Sequence, residues 1–426
     1  MKVDKSLKIM PWFVEVGFFG GHNMKVKTIS VRLFACAAML AAAIAAGAFV
    51  GCGEEAAPPA DQTPAHTHEW TSETEYYVKG GELYVAEHCS GCDELGNEKA
   101  VTNGVIVTPD TAQEALDKLT DGGVIYFSDG EYTKTLELRQ NKFTSTVKKT
   151  ADGEEVPLSE VQKTGVYYYY RTLENAVLVA SDGAVFTGGI YSSAGHTYGS
   201  ASSQPYDAVR DITLTDTNTS YYGTINVDGL EVRDFSFEGA KGKINFSYYM
   251  KGATVSGLTI KGCTFDYASE SVAGSSDQAI RIASDNGDVY SDITVSGCTV
   301  DGYYQGVYVQ NVENITVTGN TMKNCVHNAI AVQSAGGYTS TGNITIAANT
   351  VENDGDRAIR FGNLSDATVS ITDNKFVSVN PSEKEIMKAG EVTNVTVTLS
   401  GNTIDGAALP DSSAAMTNNW TVSYGA

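Results

Sequence analysis

Positive charge is scarce in this 426-residue chain. Only 29 Lys+Arg stand against 51 Asp+Glu, a formal net charge of −22. A surface so acidic repels a phosphate backbone, which argues against nucleic acid as a partner. It gives no long-range pull on polyanionic sugars either, unless metal ions or a local basic patch intervene. Helical periodicity is also missing. Between Leu258 and Ile404 no stretch of ten or more residues spaces its apolar side chains as a helix would. One apolar run is long, Leu33 to Val50, and it lies near the start.

What the second half does contain is a recurring string. It reads Leu258-Thr-Ile-Lys-Gly-Cys-Thr-Phe265, Ile293-Thr-Val-Ser-Gly-Cys-Thr-Val300 and Ile315-Thr-Val-Thr-Gly-Asn-Thr-Met322. It returns as Ile344-Thr-Ile-Ala-Ala-Asn-Thr-Val351, Val369-Ser-Ile-Thr-Asp-Asn-Lys-Phe376 and Val397-Thr-Leu-Ser-Gly-Asn-Thr-Ile404. Copies begin 35, 22, 29, 25 and 28 residues apart, the period of stacked supersecondary units. Alternating β-branched residues make each copy strand, sharp corner, strand, with Gly and Asn suited to the left-handed backbone of the corner. A further short strand precedes four of the copies: Ala279-Ile-Arg-Ile282, Gly306-Val-Tyr-Val309, Ala329-Ile-Ala-Val332 and Ala358-Ile-Arg-Phe361. Three strands per turn predict a solenoid of parallel sheets, with a ladder of Cys263, Cys298, Asn320, Asn349, Asn374 and Asn402 at the corner. A propeller blade needs a longer period and a leucine-rich horseshoe needs a helical half.

In these strings the chain resembles the pectate-lyase-like, right-handed parallel β-helix superfamily over residues 103–408. The resemblance implies an all-β solenoid whose Ala-Ile-Arg-Ile sheet faces substrate. Ahead of it, Thr111-Ala-Gln-Glu114 reads as a capping box, with Ala115, Leu116 and Leu119 on one helical face. Val124-Ile-Tyr-Phe127 follows as the first strand. Such a helix looks like the N-terminal cap of these solenoids, which covers a core and a strand edge that would otherwise be bare.

The chain divides into 1–51, 52–65, 66–102 and 103–426. Lys25, Lys27 and Arg32 precede the apolar run, and Gly51-Cys52 closes it, as in a secretory signal. It resembles a bacterial lipoprotein signal, which implies lipid on Cys52, a membrane partner and an extracellular location. An uncleaved transmembrane anchor is the other reading of the same run. Met24 opens the signal, so residues 1–23 read as a mis-assigned start. Without residues 1–51 the chain keeps 23 basic and 49 acidic residues, a charge of −26. Glu54 to Pro64 is a Glu/Ala/Pro tether with too few large apolar residues to fold. The segment 66–102 carries His66, His68, His88, Cys89 and Cys92, with the ligand types of a small structural Zn²⁺ module at His66, His68, Cys89 and Cys92. A Cys89–Cys92 disulfide fits the same letters. Cys263 and Cys298, stacked in adjacent coils, can be either bridged or two thiols of the ladder.

Stacking the coils turns scattered residues into columns. Asn245, Arg281, Tyr308, Ala331 and Arg360 share one; Gln310 and Gln333 lie two residues on; Asp277, Tyr304, His327 and Asp356 share another. Tyr248 and Tyr249 fall in a neighbouring turn. Arg can clamp a carboxylate, Tyr can stack on a sugar ring and amides can bond hydroxyls, so the face is expected to meet a polysaccharide or cell-surface glycan. β-Elimination would use Arg281 or Arg360 to neutralise a uronate, His327 or Tyr308 to move protons, and Asp277, Asp354 and Asp356 to hold Ca²⁺. Hydrolysis would need two carboxylates, and Asp277 and Asp356 lie three coils apart. Ser276-Asp-Gln-Ala-Ile-Arg-Ile282 resembles the Ile-Arg-Ile strand of the alginate lyase and chondroitinase B group. That group's next coil bears acidic ligands and a Lys base, where this chain has Gln305-Gly-Val-Tyr-Val-Gln310. Signature strings of polygalacturonases, pectin methylesterases and pectate lyases are absent. A monomeric polysaccharide-binding surface lipoprotein, with or without lyase activity, and a non-catalytic adhesin or rigid spacer are the two readings.

Overall fold

A computed structural model describes residues 68–92, 94–138, 146–148, 155–157, 165–192, 196–198, 219–239, 241–248, 254–267, 273–275, 277–284, 290–334, 337–352, 357–377, 385–416 and 421–423. The leader, Cys52, the tether, His66, Tyr249, Asp354 and Asp356 lie outside the described residues.

The alternating strings become three parallel sheets. A typical coil crosses the first sheet as Tyr290–Ser296, turns at Gly297-Cys298, crosses the second as Thr299–Asp301 and the third as Gln305–Gln310. Register is kept from coil to coil, so like side chains stack. In the first sheet Ile260, Val295, Val317, Ile346 and Ile371 lie one over another. In the second, Phe186, Phe237, Phe265, Val300, Met322, Val351 and Phe376 do so. In the third it is Ile190, Ile244, Ile280, Val307, Ile330, Ile359 and Met387. All are buried, and together they form one continuous core.

The corner works differently from the expectation in one respect. Left-handed backbone falls on the glycine position alone: Gly262, Gly297, Gly319 and Gly401 have φ between +62° and +65°. Where glycine is missing, Ala348 (+54°) and Asp373 (+57°) adopt it instead. The asparagines keep negative φ and spend their side chains on the ladder. Asn320 donates from its backbone N–H and its Nδ2 to Asn349 Oδ1, at 3.0 and 2.9 Å. Asn349 repeats this onto Asn374, and Asn374 onto Asn402. Each Nδ2 also reaches a strand carbonyl, such as Val317 O at 2.9 Å from Asn349. Cys263 and Cys298 continue the row as buried free thiols, not as a disulfide; their Sγ atoms face the carbonyls of Lys261 and Ser296.

One α-helix, α1 (Ala112–Lys118), closes the N-terminal end with Ala112, Leu116 and the following Leu119 buried. The capping box does not form. Thr111 makes no side-chain cap bond; its Oγ1 accepts from Thr108 N–H at 3.0 Å, and Glu114 pairs with Lys118. Gln113 instead joins cap to coil, its amide exchanging two 2.9 Å bonds with the backbone of Glu137 on the otherwise open edge of the third sheet. At the other end, one short antiparallel strand finishes each sheet: Ser412–Met416, Ala407–Ala408 and Thr421–Ser423.

Before the solenoid, β1 (Trp70–Lys79), β2 (Glu82–Cys89) and β3 (Leu95–Ala100) form a small antiparallel sheet, turning between β1 and β2 at Gly80-Gly81. It lies on the outside of the first sheet, where Leu83 packs with Val124 and Val179, flanked by Tyr76, Val101, Tyr126 and Val177. Arg233, 5% exposed, pins it. Its Nη2 donates to Thr74 O at 2.6 Å, its Nε to Asp234 and its Nη1 to Glu231, and it lies over the Tyr76 ring. Lys261 pairs with Glu73 at 3.2 Å beside it.

Candidate functional site

The third sheet carries the candidate face. Because the strands of successive coils pair without slippage, the residue between two buried positions always points outward. Asn245 pairs with Arg281, Arg281 with Tyr308, Tyr308 with Ala331 and Ala331 with Arg360, the column expected from the repeat. The column is longer than the sequence reading gave. Tyr191 and Glu137 precede Asn245, and Lys388 follows Arg360. A signal for Lys388 was present: it follows Arg360 by 28 residues, the separation of Asn374 from Asn402.

Arg281 is held from both sides. Its Nε donates to Ser247 Oγ at 2.8 Å and its guanidinium lies 4.8 Å from the Tyr308 ring centroid. Stacking and one bond fix the plane of the guanidinium while its outer edge remains for a planar anion. Tyr308 donates its hydroxyl to Gln310 Oε1 at 2.5 Å, and Gln310 Nε2 donates to Ser284 O at 3.1 Å. Gln310, expected to face outward, is 4% exposed and serves to position Tyr308. Gln333, beside it in register, is half-buried, with its Nε2 toward Arg360 O at 3.5 Å. Ala331 is buried, which leaves a gap in the column between Tyr308 and Arg360.

Of the second column, Asp277, Tyr304 and His327 follow one another from coil to coil. Tyr304 N–H donates to Asp277 O and His327 N–H to Tyr304 O, at 3.0 and 2.9 Å. The rings of Tyr304 and His327 stack face to face, centroids 5.1 Å apart and 4° from parallel. Asp277 Oδ2 accepts from Tyr267 OH at 3.0 Å and Gly274 N–H at 2.8 Å, so it organises its own turn. Tyr191 donates to Gly242 O at 2.8 Å, and burial, with the Asp277 charge adding, holds its phenol above the usual range. Tyr303, next to Tyr304, is core, not surface; burial raises its phenol strongly. Tyr248 lies in the strand Ile244–Tyr248, paired with Ser284.

A second cluster of reactive side chains sits in the N-terminal sheet. His68, Cys89 and Cys92 bring their ligand atoms within 4.8 Å of one another. No disulfide joins Cys89 and Cys92. His88 points elsewhere, to Glu75 at 3.2 Å, as alternation along β2 requires. Among the described residues, no helix is long and apolar enough to cross a membrane.

Residues 224–407 match the family described as right handed beta helix region. Three solved structures are similar over much of the chain. A hyperthermoactive exopolygalacturonase from Thermotoga maritima is 9% identical, with 76% of this chain and 96% of that one covered and a TM-score of 0.32. An endo-xylogalacturonan hydrolase from Aspergillus tubingensis is 15% identical, covering 71% and 94% with a TM-score of 0.31. A family 28 exopolygalacturonase from Yersinia enterocolitica is 9% identical, covering 76% and 71% with a TM-score of 0.28. Likeness at this level says nothing of chemistry. No curated protein matches. The right-handed parallel β-helix expected from the repeat is the fold found.

Proposed function

We propose that the outward column of the third sheet binds an acidic, uronate-containing polysaccharide at the cell surface, with Arg281, Arg360 and Lys388 meeting its carboxylates. One observation carries this reading. In a chain of net charge −22, three cationic side chains share one register position on one sheet. Three strand spacings separate Arg281 from Arg360, about 14 Å, the length of a few sugar units. Tyr308, Tyr304 and His327 offer ring faces along the same span, and Gln333 an amide.

On this reading cleavage proceeds by β-elimination. A guanidinium neutralises the uronate carboxylate, which acidifies the neighbouring C–H, and His327 or Tyr308 carries the proton. Ca²⁺ would assist at the acidic side of the face, where Asp277 lies. A second reading, a non-catalytic adhesin or spacer, is favoured by the hydrogen bonds that tie Asp277 to its own turn. Anchoring through lipid on Cys52 belongs to both readings and is checked by mass spectrometry of the N-terminal peptide.

The full chain is incubated with polygalacturonate and alginate plus Ca²⁺, and unsaturated product is followed by absorbance. Binding is measured on a glycan array. Arg281→Ala is expected to weaken binding about tenfold, the loss of one charged hydrogen-bonding contact, with unchanged circular dichroism. Binding without product selects the adhesin. Neither binding nor product removes the face from consideration.

A further inference from the structure

We propose that His68, Cys89 and Cys92 bind one Zn²⁺ ion, which closes the open end of the β1–β2 hairpin. The inference is independent of the polysaccharide face and stands on three observations.

The first is spacing. With Zn–S of about 2.3 Å and Zn–N of about 2.0–2.1 Å, a tetrahedral angle sets sulfur and nitrogen about 3.6 Å apart. Cys92 Sγ and His68 Nδ1 are 3.7 Å apart, and Cys89 completes a triangle inside 4.8 Å. The second is the far side of the imidazole. His68 Nε2 lies 3.1 Å from Glu94 Oε2, and the ring stacks on Trp70 at 5.1 Å. A metal-bound histidine commonly donates its other N–H to a carboxylate, which fixes the tautomer and turns Nδ1 to the metal. The third is the loop between the cysteines. Gly91 N–H points at Cys89 Sγ from 3.4 Å, and Cys89 N–H bonds Glu94 O at 3.0 Å. An N–H aimed at a sulfur stabilises the thiolate that a metal needs.

Two thiolates and an imidazole gathered this closely select Zn²⁺ over hard cations, which prefer oxygen. Binding releases the two thiol protons and forms no disulfide, so no oxidant enters. The place also explains a use. Trp70 pairs with Cys89 in the hairpin register, so the site is at the end opposite the Gly80-Gly81 turn. A metal there ties His68, two residues before β1, to Cys89 at the end of β2 and Cys92 in the loop after it. Glu73, Thr74 and Tyr76 of the same strand dock on Lys261 and Arg233 of the solenoid.

The test uses the full chain, purified with zinc and without oxidant. Metal content is measured by mass spectrometry, and Co²⁺ is then exchanged in. The expected result is about one zinc per chain and a cobalt spectrum with thiolate charge-transfer bands and tetrahedral d–d intensity. Cys92→Ser is expected to lose the zinc, and Cys325→Ser to keep it. Chelation of the wild-type chain, which avoids any folding defect of a variant, should speed hydrogen exchange in 70–89 and leave 290–334 unchanged. A Cys89–Cys92 disulfide in the purified chain, or two free thiols with no zinc, would overturn the proposal.

Discussion

Ala348 occupies a conformation its side chain resists. It holds φ +54° at the corner where four other coils place glycine. A Cβ in left-handed backbone costs about 1–2 kcal/mol, partly offset by the greater unfolded-state freedom of glycine. Ala348→Gly is therefore expected to stabilise the chain by about 0.5–1 kcal/mol, read as a higher urea midpoint with an unchanged slope. Lys243 carries a cost of another kind, a buried charge. It is 1% exposed, and its Nζ donates to Thr187 O at 2.8 Å. Burial pulls its ammonium down to about 8, against the opposing pull of Glu238. Below that value both folded and unfolded chains are protonated, and the penalty is constant. Between about 8 and the ordinary lysine value near 10.4, the unfolded chain holds a proton the folded one has released, so this residue makes stability rise with pH. Relative to Lys243→Met, the wild type should gain about 1–2 kcal/mol between about pH 8 and pH 9.5. A pH-independent difference in urea midpoints between the two would contradict it.

At the scale of the element, the asparagine ladder is the main device. Asn349 accepts two N–H groups from Asn320 and donates to Val317 O and Asn374 Oδ1, all buried. Asn349→Ala strands each of these groups in the core, at a cost of about 2–4 kcal/mol. The corresponding drop in thermal midpoint should greatly exceed that of Ala substitution at the exposed Asn324, whose Nδ2 bonds only Asp301. These corners were legible because a strand pair with one fixed turn leaves the same letters every time. The outward columns followed from register alone, which is why Arg281, Tyr308, Arg360, Tyr304 and His327 fell where expected. What was not legible depended on side-chain direction. Gln310 reads as outward by position, yet its amide folds back under Tyr308. Thr111 and Glu114 spell a capping box, but Thr108 and Lys118 lie nearer and take both side chains. Glu137 and Tyr191 belong to early coils without the Gly-Asn string, so nothing in the letters set their register.

For the whole molecule, the small sheet meets the solenoid through an apolar cluster around Leu83, the Lys261–Glu73 pair and the buried Arg233. Arg233 bonds Thr74 across 159 positions of sequence and balances Glu231 and Asp234. Arg233→Ala leaves the Thr74 carbonyl without its donor and removes the cation from two part-exposed carboxylates, which should cost about 1–2 kcal/mol. Faster hydrogen exchange across Trp70–Lys79, with the coils beyond Ile293 unaffected, would locate that loss at the seam. The ladder has another meaning at this scale. Every asparagine turns its oxygen toward the preceding coil and its nitrogen toward the next, so the row has a direction and each rung fits between any two others. A duplicated coil inserted at Asn320 or Asn349 would meet a donor on one side and an acceptor on the other. The length of the solenoid is thus an evolutionary variable, adjustable by tandem duplication in steps of about 4.8 Å. The reach of the outward face can be retuned in this way while every existing coil keeps its neighbours.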